Sequence, residues 1–142
     1  MRRAPRVIPT ETHAVAVVHY AGRLLLVRRP EKGRLGGLWE FPGALRLDGE
    51  ATEAAAVRAV ATLADIEVEV GPTLGSVKHA FTHVRVTYEA VAAAPLAAIV
   101  VHSSPHLAWV THDELGRFAL PRAQQRIAAL ILPGFEQERG VS

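Results

Sequence analysis

The chain has no cysteine at all. It can therefore form no disulfide and offers no thiolate to zinc or to an iron–sulfur cluster, which suits a reducing compartment. Long apolar runs are also missing, and nothing approaches the roughly 20 residues needed to cross a bilayer. The first residues, Met1-Arg2-Arg3-Ala4-Pro5-Arg6, lead into no apolar core of the kind a signal peptide carries. There is no internal repeat and no low-complexity linker. These absences predict a cytoplasmic protein with no membrane partner. What is present fits one globular domain over residues 1–142, with 1–12 expected to be a flexible basic tail. A hydrophobic content of 49% at this length supplies a substantial core.

The charge is modest in amount and one-sided in kind. Sixteen Lys plus Arg against fourteen Asp plus Glu leave +2, and the cations are nearly all arginine. A planar guanidinium suits bidentate phosphate contacts, so Arg2, Arg3, Arg6, Arg28, Arg29 and Arg34 are candidates for a phosphate-facing stripe. Net charge by itself does not point to nucleic acid.

Periodicity predicts strands over residues 13–19 and 24–28, joined by the hairpin signal Tyr20-Ala21-Gly22-Arg23. A short extended segment over 39–45 rises to the turn Asp48-Gly49. Residues 50–64 read as an alanine-rich helix with Ala54, Val57, Ala61 and Ala64 along its apolar face. Strands follow over 66–70, 74–79 and 84–91, the last two divided at Phe81-Thr82-His83. A turn at 92–96, short strands at 99–102 and 107–110, and a helix over 121–132 opened by Pro121 complete the chain. Two helices against mixed strands define an α+β fold, a layered αβα sandwich.

Histidine spacing raises a metal question. His79 and His83 are four apart, as are His102 and His106, a spacing that clamps zinc on a helix. Neither pair lies in a helical pattern, because Val84, Val86 and Tyr88 alternate as in a strand and Pro105 disfavours a helix. No zinc site is expected.

Residues 37–66, GLWEFPGALRLDGEATEAAAVRAVATLADI, resemble the Nudix box. In that loop-helix-loop, five residues separate a glycine from a glutamate and seven more precede Arg-Glu, ahead of a Glu-Glu pair and a closing glycine. Glu50 and Arg58 fit the spacing, but the first glycine falls on Ala44 and the closing one on Asp65. The metal-binding glutamates fall on Ala59, Thr62 and Leu63. Those positions are three and four apart on a helix and share a face that could converge on a metal. Magnesium or manganese needs hard oxygen ligands, and one hydroxyl cannot hold a divalent ion against water. The resemblance thus implies a mixed central sheet with two main helices, a scaffold pair Glu50/Arg58, and no resident cofactor or metal. Magnesium or manganese enters only if a hydrolase survives on substitute ligands, for which Glu50, Glu53 and Glu89 are the weak candidates.

Two further segments resemble one branch of that family, the C-terminal domain of MutY-type adenine DNA glycosylases. Leu38-Trp39-Glu40-Phe41-Pro42-Gly43 is one, and Lys78-His79-Ala80-Phe81-Thr82-His83 the other. A weaker match is Trp109 ahead of Asp113-Glu114-Leu115 and Phe118-Ala119-Leu120-Pro121. The resemblance implies that Thr82 reads the C8 carbonyl or N7 hydrogen of 8-oxoguanine through its hydroxyl, that His83 assists, and that Phe81 anchors the loop in the core. Trp39, Arg28 and Arg29 join these as candidates for nucleotide or lesion binding. The helical iron–sulfur domain of such glycosylases is expected to be absent. The expected partner is an oxidised guanine nucleotide or damaged DNA, with a separate glycosylase or another protein as a possible further partner and the oligomeric state open. An active hydrolase of nucleoside diphosphate derivatives and a protein-interaction module without nucleotide binding are the alternatives.

Overall fold

The computed structural model of the chain describes residues 7–30 and 36–138. Arg2, Arg3, Arg6 and Arg34 of the expected cationic stripe lie outside the described residues. The sheet is built from β1 (Thr10–Tyr20), β2 (Arg23–Arg28), β3 (Trp39–Glu40), β4 (Gly43–Leu45), β5 (Val68–Ala80), β6 (Arg85–Pro95) and β7 (Leu107–Val110). Two helices, α1 (Thr52–Ala64) and α2 (Arg122–Ile131), complete the framework. The strand order is β3-β2-β1-β6-β5, with β4 paired to β1 and β7 to β2. The β1/β6 pairing is parallel and the others antiparallel, so the sheet is mixed.

The run Ala14-Val15-Ala16-Val17-Val18 in β1 is fully buried because both faces of this central strand are covered. With a side-chain period of two, Ala14, Ala16 and Val18 pack on Ala55, Ala56 and Val60 of α1. Val15 and Val17 turn the other way, toward Ile127 and Ala128 of α2. One strand thus organises two cores, and the layers are helix, sheet, helix, as the αβα expectation has it.

Several boundaries differ from the sequence reading. Thr10, Thr12 and Glu11, assigned to a tail, belong to β1, and Arg85 N–H bonds back to Pro9 O at 2.9 Å. The strands expected over 66–70 and 74–79 are one long β5 with irregular register between Val70 and Gly75. Gly75 sits there at φ 143°, a conformation side chains avoid, so a glycine absorbs the bulge. The turn expected at 92–96 is the end of β6, where Pro95 closes the pairing opposite Val68 and needs to donate nothing further. No strand forms at 99–102. The core face of α1 is Ala55, Ala56, Ala59 and Val60, while Ala54 and Ala61 are exposed. In a helix this rich in alanine, small apolar residues occupy every face and periodicity cannot choose among them. Pro121 caps α2 from outside as its N-cap residue, one position earlier than expected.

Candidate functional site

The box loop leaves β4 and enters α1, and a cation network holds it. Arg58 grips Glu50 with two parallel hydrogen bonds, Nε to Oε2 at 3.0 Å and Nη2 to Oε1 at 2.8 Å. The same Nη2 reaches Leu45 O at 2.8 Å, and Glu50 Oε1 also accepts from Leu47 N–H at 2.9 Å. Arg46, which the sequence reading did not single out, donates to Glu50 O through Nε and Nη2 at 3.0 and 2.8 Å. Its Nη1 pairs with Glu89 at 3.0 Å, and Thr52 Oγ1 donates to the same carboxylate oxygen at 2.6 Å. At the far end of α1, Asp65 occupies the closing-glycine position in the left-handed conformation, φ 56° and ψ 41°. Aspartate is among the few side chains that tolerate it, so the loop keeps its exit without glycine.

The donor set does not fit a divalent metal. Ala59 is buried against the sheet at 2% exposure, while Leu63 is 44% exposed and Thr62 also faces solvent. The shared face expected for the three positions is therefore split, because Ala59 lies on the side of α1 that packs on the sheet. Glu50 and Glu89 are committed to arginines, and Glu53 stands exposed in the first turn of α1. Among the described residues no three His, Asp or Glu side chains gather as a metal site requires.

The Arg58 guanidinium, aided by the Leu47 N–H, holds the Glu50 carboxyl down to about 2. A carboxyl depressed in the fold stabilises it above the ordinary carboxyl range near 4.5, and that contribution fades as pH falls toward 2. Glu50→Ala should therefore melt several degrees below the parent at neutral pH, with the gap closing between about pH 4.5 and 2. Melting curves across that range check this, and a gap independent of pH would contradict the bracing role.

On the opposite side of the sheet lies a cleft of about 350 Å³. Its walls come from β1, β4, the turn end of the β5/β6 hairpin and the first turn of α2. The hairpin side contributes His79 and Phe81, stacked edge to face at 4.6 Å and 64°, with Tyr88 beyond them. Across from Tyr88 is His13, 5.6 Å ring to ring, whose Nε2 lies 3.0 Å from Glu11 Oε1. Gln124, only 4% exposed, is the one buried polar residue among the described residues and lines the cleft. Its Oε1 accepts from Phe41 N–H at 3.0 Å. A backbone N–H can only donate, so this contact fixes the amide orientation and leaves Nε2 as a donor with no protein partner among the described residues. Close backbone packing also shapes the wall: a Cβ on Gly43 would come within 3.1 Å of Ala14 O.

The sequence-derived candidates divide. Phe81 lines the cleft half-buried and stacks on His79; it does not anchor in the core as expected, since the tight turn Phe81 N–H to Val84 O at 2.8 Å keeps it at the hairpin end. Thr82 and His83 are the exposed tip of that turn, beside the cleft and not among its walls. Arg29 lines the cleft but is paired with Glu40 at 2.9 Å. Arg28 and Trp39 lie apart from it. Arg28 Nε bonds Gly37 O at 2.9 Å, its guanidinium sits 5.9 Å over the Trp39 ring, and Trp39 packs edge to face on Phe118 at 5.4 Å. His102 and His106 are exposed on the 96–106 connection. His13, Tyr88, Arg122 and Gln124 were missed. The buried glutamine had one sequence signal, a polar residue flanked at helical spacing by Leu120, Ile127 and Ala128.

The NUDIX domain model matches residues 13–130. Mouse adenine DNA glycosylase is 31% identical over 139 residues, covering 89% of this chain and 26% of that protein. Human adenine DNA glycosylase is 32% identical, with 89% and 24% covered, so the chain spans about a quarter of these relatives' length. The C-terminal domain of mouse MUTYH, solved in complex with human PCNA, superposes with a TM-score of 0.64 at 26% identity over 90% of this chain and 93% of that one. The MutT protein of Methanosarcina mazei Go1 gives 0.71 at 26% identity over 84% and 90%. With the layered fold, the Glu50/Arg58 brace and a match over most of its length, this chain belongs to the Nudix domain family, with MutY-type adenine DNA glycosylases among its relatives.

Proposed function

We propose that the chain is a catalytically degenerate Nudix domain that binds guanine-type purines, above all 8-oxoguanine, as a nucleotide or within oxidatively damaged DNA. The observation that carries this is the Gln124 amide, buried at the cleft wall and locked as a donor. Guanine and 8-oxoguanine present a carbonyl acceptor at position 6, where adenine presents an amino donor. A buried donor left facing a donor loses its hydrogen bond and its hydration together, which is the strongest form of discrimination a small pocket offers. Phe81, His79 and Tyr88 give the base apolar and aromatic surface. Thr82 and His83 at the adjacent tip address the C8 carbonyl and N7 hydrogen that distinguish the oxidised base. The match to adenine DNA glycosylases, which supports a setting in oxidative DNA damage, agrees with this reading.

Titrating the chain with 8-oxo-dGMP, dGMP and dAMP tests it. The keto purines should bind more tightly than dAMP by about 1 to 3 kcal/mol. Gln124→Glu keeps an acceptor for Phe41 N–H but removes the donor, and it should abolish or invert that preference. Equal affinity for dGMP and dAMP in the parent would sink the assignment of the cleft.

A further inference from the structure

Among the described residues, five arginines are neutralised by carboxylates: Arg23 by Glu114, Arg29 by Glu40, Arg46 by Glu89, Arg58 by Glu50 and Arg117 by Glu138. The cations with no carboxylate within ion-pair distance are Arg28, which covers Trp39, and four others, Lys78, Arg85, Arg122 and Arg126. Those four lie about the turn end of the β5/β6 hairpin and the helix beside it, and all four are exposed. Arg122 and Arg126 are one helical turn apart on the same side of α2. Arg126 bends over the β5 edge to bond Lys78 O through Nη1. Lys78 and Arg85 belong to the other face of the hairpin, since their neighbours in the strands, Val77 and Val86, are the ones turned inward. The cations therefore flank the hairpin end from two sides, and only Arg122 belongs to the cleft itself.

A mononucleotide seated in the cleft can occupy only the cleft-side member of this set. The remaining charge makes sense if the phosphate chain continues past the cleft. We propose that Lys78, Arg85, Arg122 and Arg126 form a track for the backbone of a nucleic acid strand, which crosses the hairpin end while one unstacked base enters the cleft. The proposal rests on the cleft reading and specifies its ligand class as an unpaired stretch of polynucleotide. A base inside an intact duplex cannot reach a pocket, whereas an unpaired or extruded one can. Cations tracking a backbone next to aromatic side chains are the usual construction of single-strand binding surfaces. An acidic peptide would lack the planar base that the His79/Phe81 edge and the Gln124 donor are built to receive.

The test is fluorescence anisotropy with a short single-stranded oligonucleotide carrying one 8-oxoguanine, beside 8-oxo-dGMP alone and a polyglutamate control. Salt is varied from about 50 to 200 mM. The oligonucleotide should bind at least about tenfold more tightly than the mononucleotide at low salt, with a log–log salt slope of about −2 to −3 for three or four single-strand phosphate contacts. The double variant Arg85→Gln/Arg126→Gln should cost about tenfold for the oligonucleotide and flatten the slope by about 1.4, with 8-oxo-dGMP affinity unchanged. The control Arg23→Gln/Arg117→Gln removes the same charge elsewhere and should change neither. Circular dichroism melts confirm that each variant is folded. The track is overturned if the control weakens oligonucleotide binding as much as the hairpin variant does. It is equally overturned if the slope does not move, or if polyglutamate binds as well as the oligonucleotide. Salt-dependent oligonucleotide binding that the hairpin variant alone loses, together with no measurable 8-oxo-dGMP binding, upholds the track and overturns the cleft reading instead.

Discussion

Phosphate or pyrophosphate release from 8-oxo-dGTP, ADP-ribose or a dinucleoside polyphosphate should stay at the uncatalysed background with magnesium and with manganese. Metal ions in such hydrolysis neutralise phosphate charge and generate the nucleophile, so a missing ligand set costs many powers of ten. The positions that should carry carboxylates are a buried alanine, an exposed threonine and a half-exposed leucine. Glu50 and Glu89, the substitutes nearest to hand, are each held by an arginine, and a metal would have to displace Arg58 or Arg46 to reach them. A turnover of about 1 per second or more, typical of enzymes and abolished by EDTA, would overturn this account and restore the hydrolase alternative.

Thr82→Val should remove the preference for 8-oxoguanine over guanine while leaving the preference for guanine over adenine intact. Valine keeps the shape and the branched β-carbon, so the tip conformation is preserved and only the hydroxyl is lost. Oxidation of guanine adds a C8 carbonyl and an N7 hydrogen, and a hydroxyl can donate to the first or accept from the second. Losing one or two such hydrogen bonds is worth about 1 to 3 kcal/mol, or roughly 5- to 150-fold in relative affinity. In the proposed reading Gln124 addresses the other edge of the base, which guanine and 8-oxoguanine share, so the two variants should separate cleanly. Paired titrations of each oligonucleotide against each variant measure it, and a Thr82→Val protein that still favours the oxidised base would contradict lesion reading by the Thr82 hydroxyl.

The brace of the box loop was legible only through the resemblance to the Nudix box, which pairs Glu50 with Arg58 eight residues on, and the fold closes them into a bidentate pair. The layered arrangement was legible in outline, because two helical segments set among mixed strands leave few other ways to cover a sheet. The cleft was not, since it joins β1, β4, the hairpin end and α2, and no spacing within one segment reports that meeting. His13 and Gln124 come together only through the parallel β1/β6 pairing and the packing of α2 on the sheet. Arg28 and Arg29 show the converse error. As neighbours in sequence they read as one phosphate stripe, but Arg28 ends β2 and Arg29 is the first residue after it, and successive side chains of an extended chain point to opposite sides. One covers Trp39 and the other pairs with Glu40 at the cleft. The alanines of α1 misled for a compositional reason, because a helix with small residues on every side carries no readable stripe.

The most direct measurement is the affinity of the unaltered protein for two oligonucleotides identical except for a single guanine or 8-oxoguanine, taken at moderate salt. The oxidised one should bind more tightly by about 1 to 3 kcal/mol. Equal affinity for both, or binding to neither as oligonucleotide and as nucleotide, would contradict the lesion-reading account and make an interaction module without nucleotide binding the better description of this domain.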